Sequence, residues 1–495
     1  MLFTEPTFLF LFLPVLLALY FMPGLIDRDL SAPHKAYANW LLLVASVIFY
    51  ATGGGAFTWL MLASIAFNYW MAIAVDRARG TPAAKRRLAI AVTINLVVLG
   101  IFKYANFLAD NVNTLFGVLV VGPVISIPRV LLPIGISFFT FHAISYVIDV
   151  YRRDATAQKS PVHAALYLLL FPQLIAGPII RYRDIADQLA ERIVTMDDFA
   201  YGVRRFIIGL AKKVLIANVV AGPADRIFGM PYDQRSASLA WLGIICYTLQ
   251  IYFDFSGYSD MAIGLGRLFG FRFPENFRWP YIASTVQGFW RRWHISLSTW
   301  FRDYLYIPLG GNRVPVGRQY GNLVLVFFLC GLWHGASWSF VVWGLWHGVF
   351  LVVERLFRTD HRTRTSDAEG ILAWPIWGHL YTMGVVMIGW VFFRADTLTD
   401  GWRYLEALAG RPPALPTPYT LSFYLTSEVW LAIVAGVIGS MPWVSSMAEW
   451  FVMAPRPERD RFVRVISATA LAAMLFASIL NVAARTYNPF IYFRF

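Results

Sequence analysis

The sequence predicts an all-α, polytopic membrane protein with roughly 11–13 membrane-embedded helices, some of them re-entrant, around a central passage. Three observations predict it. Of 495 residues, 58% are hydrophobic and only 14% are charged, with a mean hydropathy of +0.56, which is more apolar surface than a soluble domain of this length has to bury. Apolar runs of roughly 18–22 residues, the length that spans a bilayer, recur along the whole chain. Basic residues collect in the short loops between those runs, as in cytoplasmic membrane loops, while 19 Trp residues suit interfacial belts. The formal charge of +13 is therefore membrane-loop charge, and nucleic acid is not an expected partner.

The runs fall near 6–23, 36–52, 56–75, 88–107, 130–150, 162–180, 206–222, 239–265, 320–336, 338–357, 374–394, 428–446 and 463–484. The first, Phe8 to Met22, lacks a basic n-region and a small-residue cleavage site, so it is expected to stay as a membrane helix. The run at 162–180 is broken by Phe171-Pro172-Gln173 and Ala176-Gly177-Pro178 and is expected to be re-entrant or buried, where protein can satisfy irregular backbone. Four basic sets orient the chain: Arg77, Arg79, Lys85, Arg86 and Arg87; Arg152, Arg153 and Lys159; Arg355, Arg358, Arg362 and Arg364; Arg456, Arg459, Arg461 and Arg464. Placing all four in the cytoplasm puts both termini outside, which in a bacterial inner membrane means the periplasm.

The whole chain, 1–495, reads as a single membrane domain, with a chemistry-bearing stretch at 284–348 and an amphipathic helix near 195–216. In that helix Phe199, Val203, Phe206, Ile207, Leu210 and Val214 recur at helical spacing, with Arg204, Arg205, Lys212 and Lys213 off the stripe. Such a helix can lie in the interface with its cations toward the headgroups. Cys246 and Cys330 both sit in apolar segments and read as buried thiols, with neither a disulfide nor a metal site expected.

Chemistry concentrates between Gln287 and Gly348. Ser284-Thr285-Val286-Gln287 resembles a capping-box opening. On one continuous helix from there, Gln287, Arg291, His294, Ser298 and Arg302 are spaced 4, 3, 4 and 4 and share a face, while Trp293, Leu297, Trp300 and Tyr304 face the packing side. The polar stripe lines either a water-filled passage or a polar ligand; its alternative is a solvated interfacial face. His334 follows Trp333 and is flanked by Gly331, Gly335 and Ala336. Small neighbours admit a close approach, and a neutral imidazole there can take a proton from a hydroxyl; a helix-to-helix hydrogen bond is the alternative role. His347 repeats the pattern in Gly344-Leu345-Trp346-His347-Gly348 but, on one continuous helix, would lie roughly 140° from His334. Asp254 and Asp260 sit at the edge of a membrane run and are expected to pair with Arg291 or Arg292, a supporting rather than chemical role. His142 reads as structural. The chain contains no phosphate-cradling Walker loop, no His-Glu-x-x-His and no Gly-x-Ser-x-Gly motif.

Phe289-Trp290-Arg291-Arg292-Trp293-His294-Ile295-Ser296-Leu297-Ser298, Asp303 through Asn312, and Gly331-Leu332-Trp333-His334-Gly335 resemble the membrane-bound O-acyltransferase family. Further support comes from Phe8–Pro14, Leu132–Phe138, Pro172–Pro178, Tyr252–Gly264 and Asn488–Phe493, so nearly the whole chain is covered. The resemblance implies acyl transfer, with His334 at the active-site position and His294 at the partner position. Gln287, Arg291, Ser298, Arg302 and Trp333 would then bind the donor or substrate. It implies an acetyl group moved across the membrane from a donor such as acetyl-CoA, with no bound cofactor and no metal. The acceptor would be an exopolysaccharide, alginate first and cellulose as an alternative. With no soluble catalytic domain in the sequence, periplasmic acetyltransferase or polysaccharide-modifying proteins are the expected partners, beside the membrane lipids. A transporter using the same passage, or a scaffold subunit without acyl-transfer chemistry, is the reading from another class; the sequence shows no large internal repeat of the transporter kind.

Overall fold

Every regular element is helical in the computed structural model, which describes residues 1–27, 35–117, 125–357, 376–443 and 457–484. Arg358, Arg362 and Arg364, Arg456, and the stretch 488–493 lie outside the described residues. Among the described residues, eight helices are long and apolar enough to cross a membrane, and the shorter apolar helices Phe8–Gly24 and Ser427–Gly439 add to them. Rows of large apolar side chains on these helices point outward, among them Trp59, Trp70 and Trp377 at 75%, 64% and 81% exposure. A chain that turns such residues outward is solvated by lipid, and this is a polytopic membrane protein.

The chain divides into two compact units, residues 1–206 with 258–274, and residues 207–257 with 275–495. In the first, a buried aromatic cluster joins Phe3, Phe8, Phe49 and Phe171, with Tyr258 stacked 4.4 Å from Phe3. Helices Phe57–Arg77 and Pro82–Gly117 are linked by reciprocal amide bonds between Asn68 and Asn95, at 3.1 and 2.8 Å. The proline- and glycine-broken run is buried, as its sequence requires. Helix Pro161–Leu169 ends, a short turn Phe171–Leu174 follows, and the irregular strand of backbone after it finds side-chain partners. His142 Nε2 accepts from the Ile180 N–H at 3.2 Å, and the Tyr167 hydroxyl donates to the Ile180 carbonyl at 3.0 Å. These bonds satisfy non-helical backbone that neither water nor lipid would serve, and they give His142 a structural task.

The stripe at 199–214 belongs to a helical run Met196–Phe228, and Phe206, Ile207, Leu210 and Val214 are all buried. Its cations do not all face outward. In the first unit Arg205 grips Asp260 with Nε and Nη2, at 2.9 and 2.7 Å. In the second, Lys213 and Asp254 form an ion pair at 2.6 Å with side chains 2% and 1% exposed. The expected partners of the two acids, Arg291 and Arg292, are therefore replaced by cations of this helical run.

In the second unit helices Val316–His334 and Trp338–Phe357 form a tight hairpin. Their backbones touch: a Cβ on Gly344 would sit 2.2 Å from the Phe327 carbonyl oxygen, and one on Gly331 would sit 2.4 Å from that of Phe340. Small residues at a membrane helix crossing permit such an approach.

Candidate active site

The stretch after Ser284 is not one helix. Helix Val286–Trp290 is capped by Thr285, whose hydroxyl accepts from the Gly288 N–H at 2.9 Å. The chain then breaks, and a second helix runs Ile295–Phe301 before a π-helical turn, Arg302–Tyr306. The break is centred on His294, which adopts a left-handed backbone with φ +43°, an unusual state for a residue with a Cβ. Asn276 makes the break tolerable. Its side-chain oxygen accepts from the Ser296 N–H and hydroxyl at 3.2 and 2.9 Å, and its carbonyl accepts from the Ile295 N–H at 2.9 Å. Asn276 thus caps the second helix in place of the preceding residue, and His294 makes no capping bond.

The consequence is a correction to the five-residue stripe. Gln287, Arg291, Ser298 and Arg302 line one cavity of about 460 Å³, but His294 is not among its walls. The left-handed turn sends that imidazole into an aromatic interior instead, edge-on to Phe255 at 4.6 Å and 6.1 Å from Trp333. His294 is fully buried, and neither ring nitrogen meets a hydrogen-bond partner among the described residues. Burial first, and the neighbouring His334 second, hold its imidazole well below the usual histidine range. It is a neutral ring.

His334 ends helix Val316–His334 and is 6% exposed. Its Nδ1 lies 2.7 Å from the Cys330 carbonyl oxygen. A carbonyl only accepts, so Nδ1 carries the proton and Nε2 carries the lone pair. Trp333, Trp343 and Phe393 stand around the ring at 4.8, 4.7 and 5.4 Å between centroids. Cys330 also lines the 460 Å³ cavity, so that cavity reaches the residue whose carbonyl holds His334.

The remaining candidates separate from this centre. The chain breaks between His334 and Trp338, so the single-helix angle to His347 does not apply. His347 lies on the other arm of the hairpin, beyond Trp343, which it meets at 5.4 Å. It is fully buried against Trp290 at 5.2 Å, with both ring nitrogens unpartnered among the described residues. Asp254 and Asp260 are held in the ion pairs described above. Among the described residues, no group of three or more His, Cys, Asp or Glu could hold a metal ion. The cavity adds residues that pattern reasoning missed: Tyr306, Asn312, Glu354 and Arg355. Arg355 and Tyr306 both donate to the Asn312 side-chain oxygen, at 3.2 and 2.8 Å. The one available signal was an adjacent acid and base, Glu354-Arg355, at the end of an otherwise apolar run.

Residues 136–393 match the model of the membrane-bound O-acyltransferase family. The chain belongs to that family. Its helical membrane fold and its chemistry, acyl transfer to a hydroxyl, are those of a membrane-bound O-acyltransferase. Among curated relatives, a probable alginate O-acetylase AlgI of Azotobacter vinelandii is 41% identical over the full length of both chains. A protein of the same name from Pseudomonas aeruginosa is 47% identical over 82% of this chain and 75% of its own. A peptidoglycan O-acetyltransferase of Helicobacter pylori is 36% identical over 83% of this chain and 80% of its own. The motifs at 289–298, 303–312 and 331–335 fall in the second unit, where the cavity and both His294 and His334 also lie.

Proposed function

We propose that this chain moves acetyl groups across a bacterial inner membrane for O-acetylation of an exopolysaccharide, alginate before cellulose or another polymer. The observation that carries the reading is the His334–Cys330 contact, which leaves an unprotonated Nε2 one turn from a cavity bearing Arg291 and Arg302. Relatives named as alginate O-acetylases support the choice of acetyl group and polymer.

In this reading the donor is an acetyl thioester, acetyl-CoA or an equivalent, arriving from the cytoplasm. Arg291 and Arg302 attract its phosphates, Gln287 and Ser298 offer hydrogen bonds, and Leu323, Val326 and Phe327 receive its apolar part. His334 is the general base. Nε2 takes the proton of the acceptor hydroxyl as its oxygen bonds to the acetyl carbon; the carbon–sulfur bond breaks, and the leaving thiolate takes that same proton from Nε2, which returns His334 to its neutral form. Trp333 and Trp343 exclude water that would otherwise hydrolyse the thioester. His294 is the second imidazole. Burial first, and the neighbouring His334 second, hold the His294 imidazole well below the usual histidine range, so His294 stays neutral while His334 carries the acceptor's proton.

Both termini face the periplasm in this arrangement. Separate periplasmic proteins carry the acetyl group from the membrane chain to the polysaccharide. The test uses inner-membrane vesicles holding the chain and its periplasmic partners, given acetyl-CoA labelled in the acetyl group. Label reaching a partner or polymer, and lost in His334→Ala with the protein still in the membrane, is the expected result. Label transport without covalent transfer identifies a transporter, and undiminished acetylation in the His294/His334 double variant identifies a scaffold. Label retained on the chain itself through His334 makes Nε2 an acyl acceptor rather than a base.

A further inference from the structure

One acid stands among the residues lining the cavity, Glu354 of helix Trp338–Phe357. A free carboxylate there would oppose an anionic donor. Both of its oxygens are instead directed at backbone: Oε1 accepts from the Val286 N–H at 2.5 Å and Oε2 from the Gln287 N–H at 3.0 Å. With Thr285 taking the Gly288 N–H, three successive donors at the start of helix Val286–Trp290 are satisfied by side chains. The Tyr381 side chain, from helix Ile376–Arg394, interacts with the same carboxylate.

That helix is 5 residues long, too short to hold itself in place by its own hydrogen bonds. It nevertheless brings Gln287 and Trp290 to the cavity and runs directly into Arg291. Its orientation is set by what grips its ends. We propose that Glu354 is a positioning residue: it ties the short helix to the hairpin arm Trp338–Phe357 and so fixes Gln287 and Arg291 for the donor. The donor part of this proposal rests on the acetyl-thioester reading of the cavity. Glu354 acts through the backbone it holds, and the carboxylate charge is absorbed by the N–H groups and the helix start.

The full-length protein in proteoliposomes supplied with its periplasmic partners and the polymer acceptor, with Glu354→Ala and the isosteric Glu354→Gln, tests the proposal through amide hydrogen exchange at 286–288 and steady-state acetyl transfer from acetyl-CoA. Glu354→Ala is expected to speed exchange at those amides and raise KM about tenfold, with kcat within about twofold of the parent. Glu354→Gln, which keeps one acceptor oxygen, should fall between. If Glu354→Ala does not fold, as judged by size exclusion, Glu354→Gln alone carries the test. Unchanged exchange overturns the tether, and faster exchange with unchanged KM overturns the positioning role. A fall in kcat at constant KM also overturns it, because that is the signature of a group acting on the reacting atoms. The exchange measurement needs no turnover, so a parent protein inactive with acetyl-CoA sinks the donor reading while the tether is still judged on its own.

Discussion

His334 gives its Nδ1 proton to the carbonyl oxygen of Cys330, one helical turn earlier, across 2.7 Å. That single contact sets which ring nitrogen is basic. It also joins the histidine to a cavity wall, since Cys330 is part of both.

Replacing His334 by Gln or Ala should lower kcat for acetyl transfer by about 10²- to 10⁴-fold, the usual worth of a general base. KM for the donor should change little, because the groups proposed to bind the donor lie on other segments. Radiolabel transfer in vesicles measures both constants, and a His334→Gln protein of near-parental kcat would remove the base role.

Arg291 and Arg302 should not matter equally. Arg302 is already paired with Asp303 at 2.7 Å, so part of its charge is committed. Arg291→Ala should therefore raise KM for acetyl-CoA more than Arg302→Ala, by about five- to tenfold against about twofold, and the difference should shrink in 0.5 M salt as screening rises. Equal effects at both salt concentrations would argue against phosphate attraction.

Acid should destabilise the fold through His294. Its pKa lies well below 6.5 in the folded chain and near 6.5 when unfolded. The unfolded chain therefore binds the proton more readily as pH falls. The contribution of this group to stability is complete above pH 6.5 and is lost as pH drops through the interval below it. Thermal unfolding in detergent between pH 8 and 5 should show a lower midpoint on the acid side, with a smaller acid-induced drop in His294→Asn. An unchanged slope in that variant would contradict the neutral buried imidazole.

Lys213→Met should destabilise by about 3–5 kcal/mol, because it removes the cation 2.6 Å from the buried Asp254 carboxylate. Replacing both members by apolar residues should recover most of that loss. A double-mutant cycle of unfolding free energies checks the pair, and additive effects would show that the two charges do not depend on each other.

The sequence made four walls of the cavity legible, because Gln287, Arg291, Ser298 and Arg302 hold helical spacing on both sides of a break. The break itself had no sequence sign: no Gly or Pro occurs between Trp290 and Arg302. It depends on Asn276 reaching forward across 20 residues to cap the second helix. Ion-pair partners were hidden for the same reason. Asp254 and Asp260 had cations nearer at hand, but Lys213 and Arg205 lie on a helical run that only the fold places beside them. Glu354 was illegible as a cap because it serves a helix 68 residues earlier. Local periodicity identifies which residues can share a surface; it carries no information on which distant chain closes that surface.

The backbone contact at Gly331 and Gly344 has a mechanical consequence. Two helices touching main chain to main chain have no slack to slide, so His334 at the end of one and Glu354 near the end of the other move as a single piece. The proposed base and the fastening of the proposed donor wall are then set at a constant span, like the jaws of a caliper. Under the proposed acetyl-thioester reading, a donor would be measured by the reach of its thioester arm against that span, and one whose arm is shorter by a few bonds would not be accommodated by the hairpin closing up.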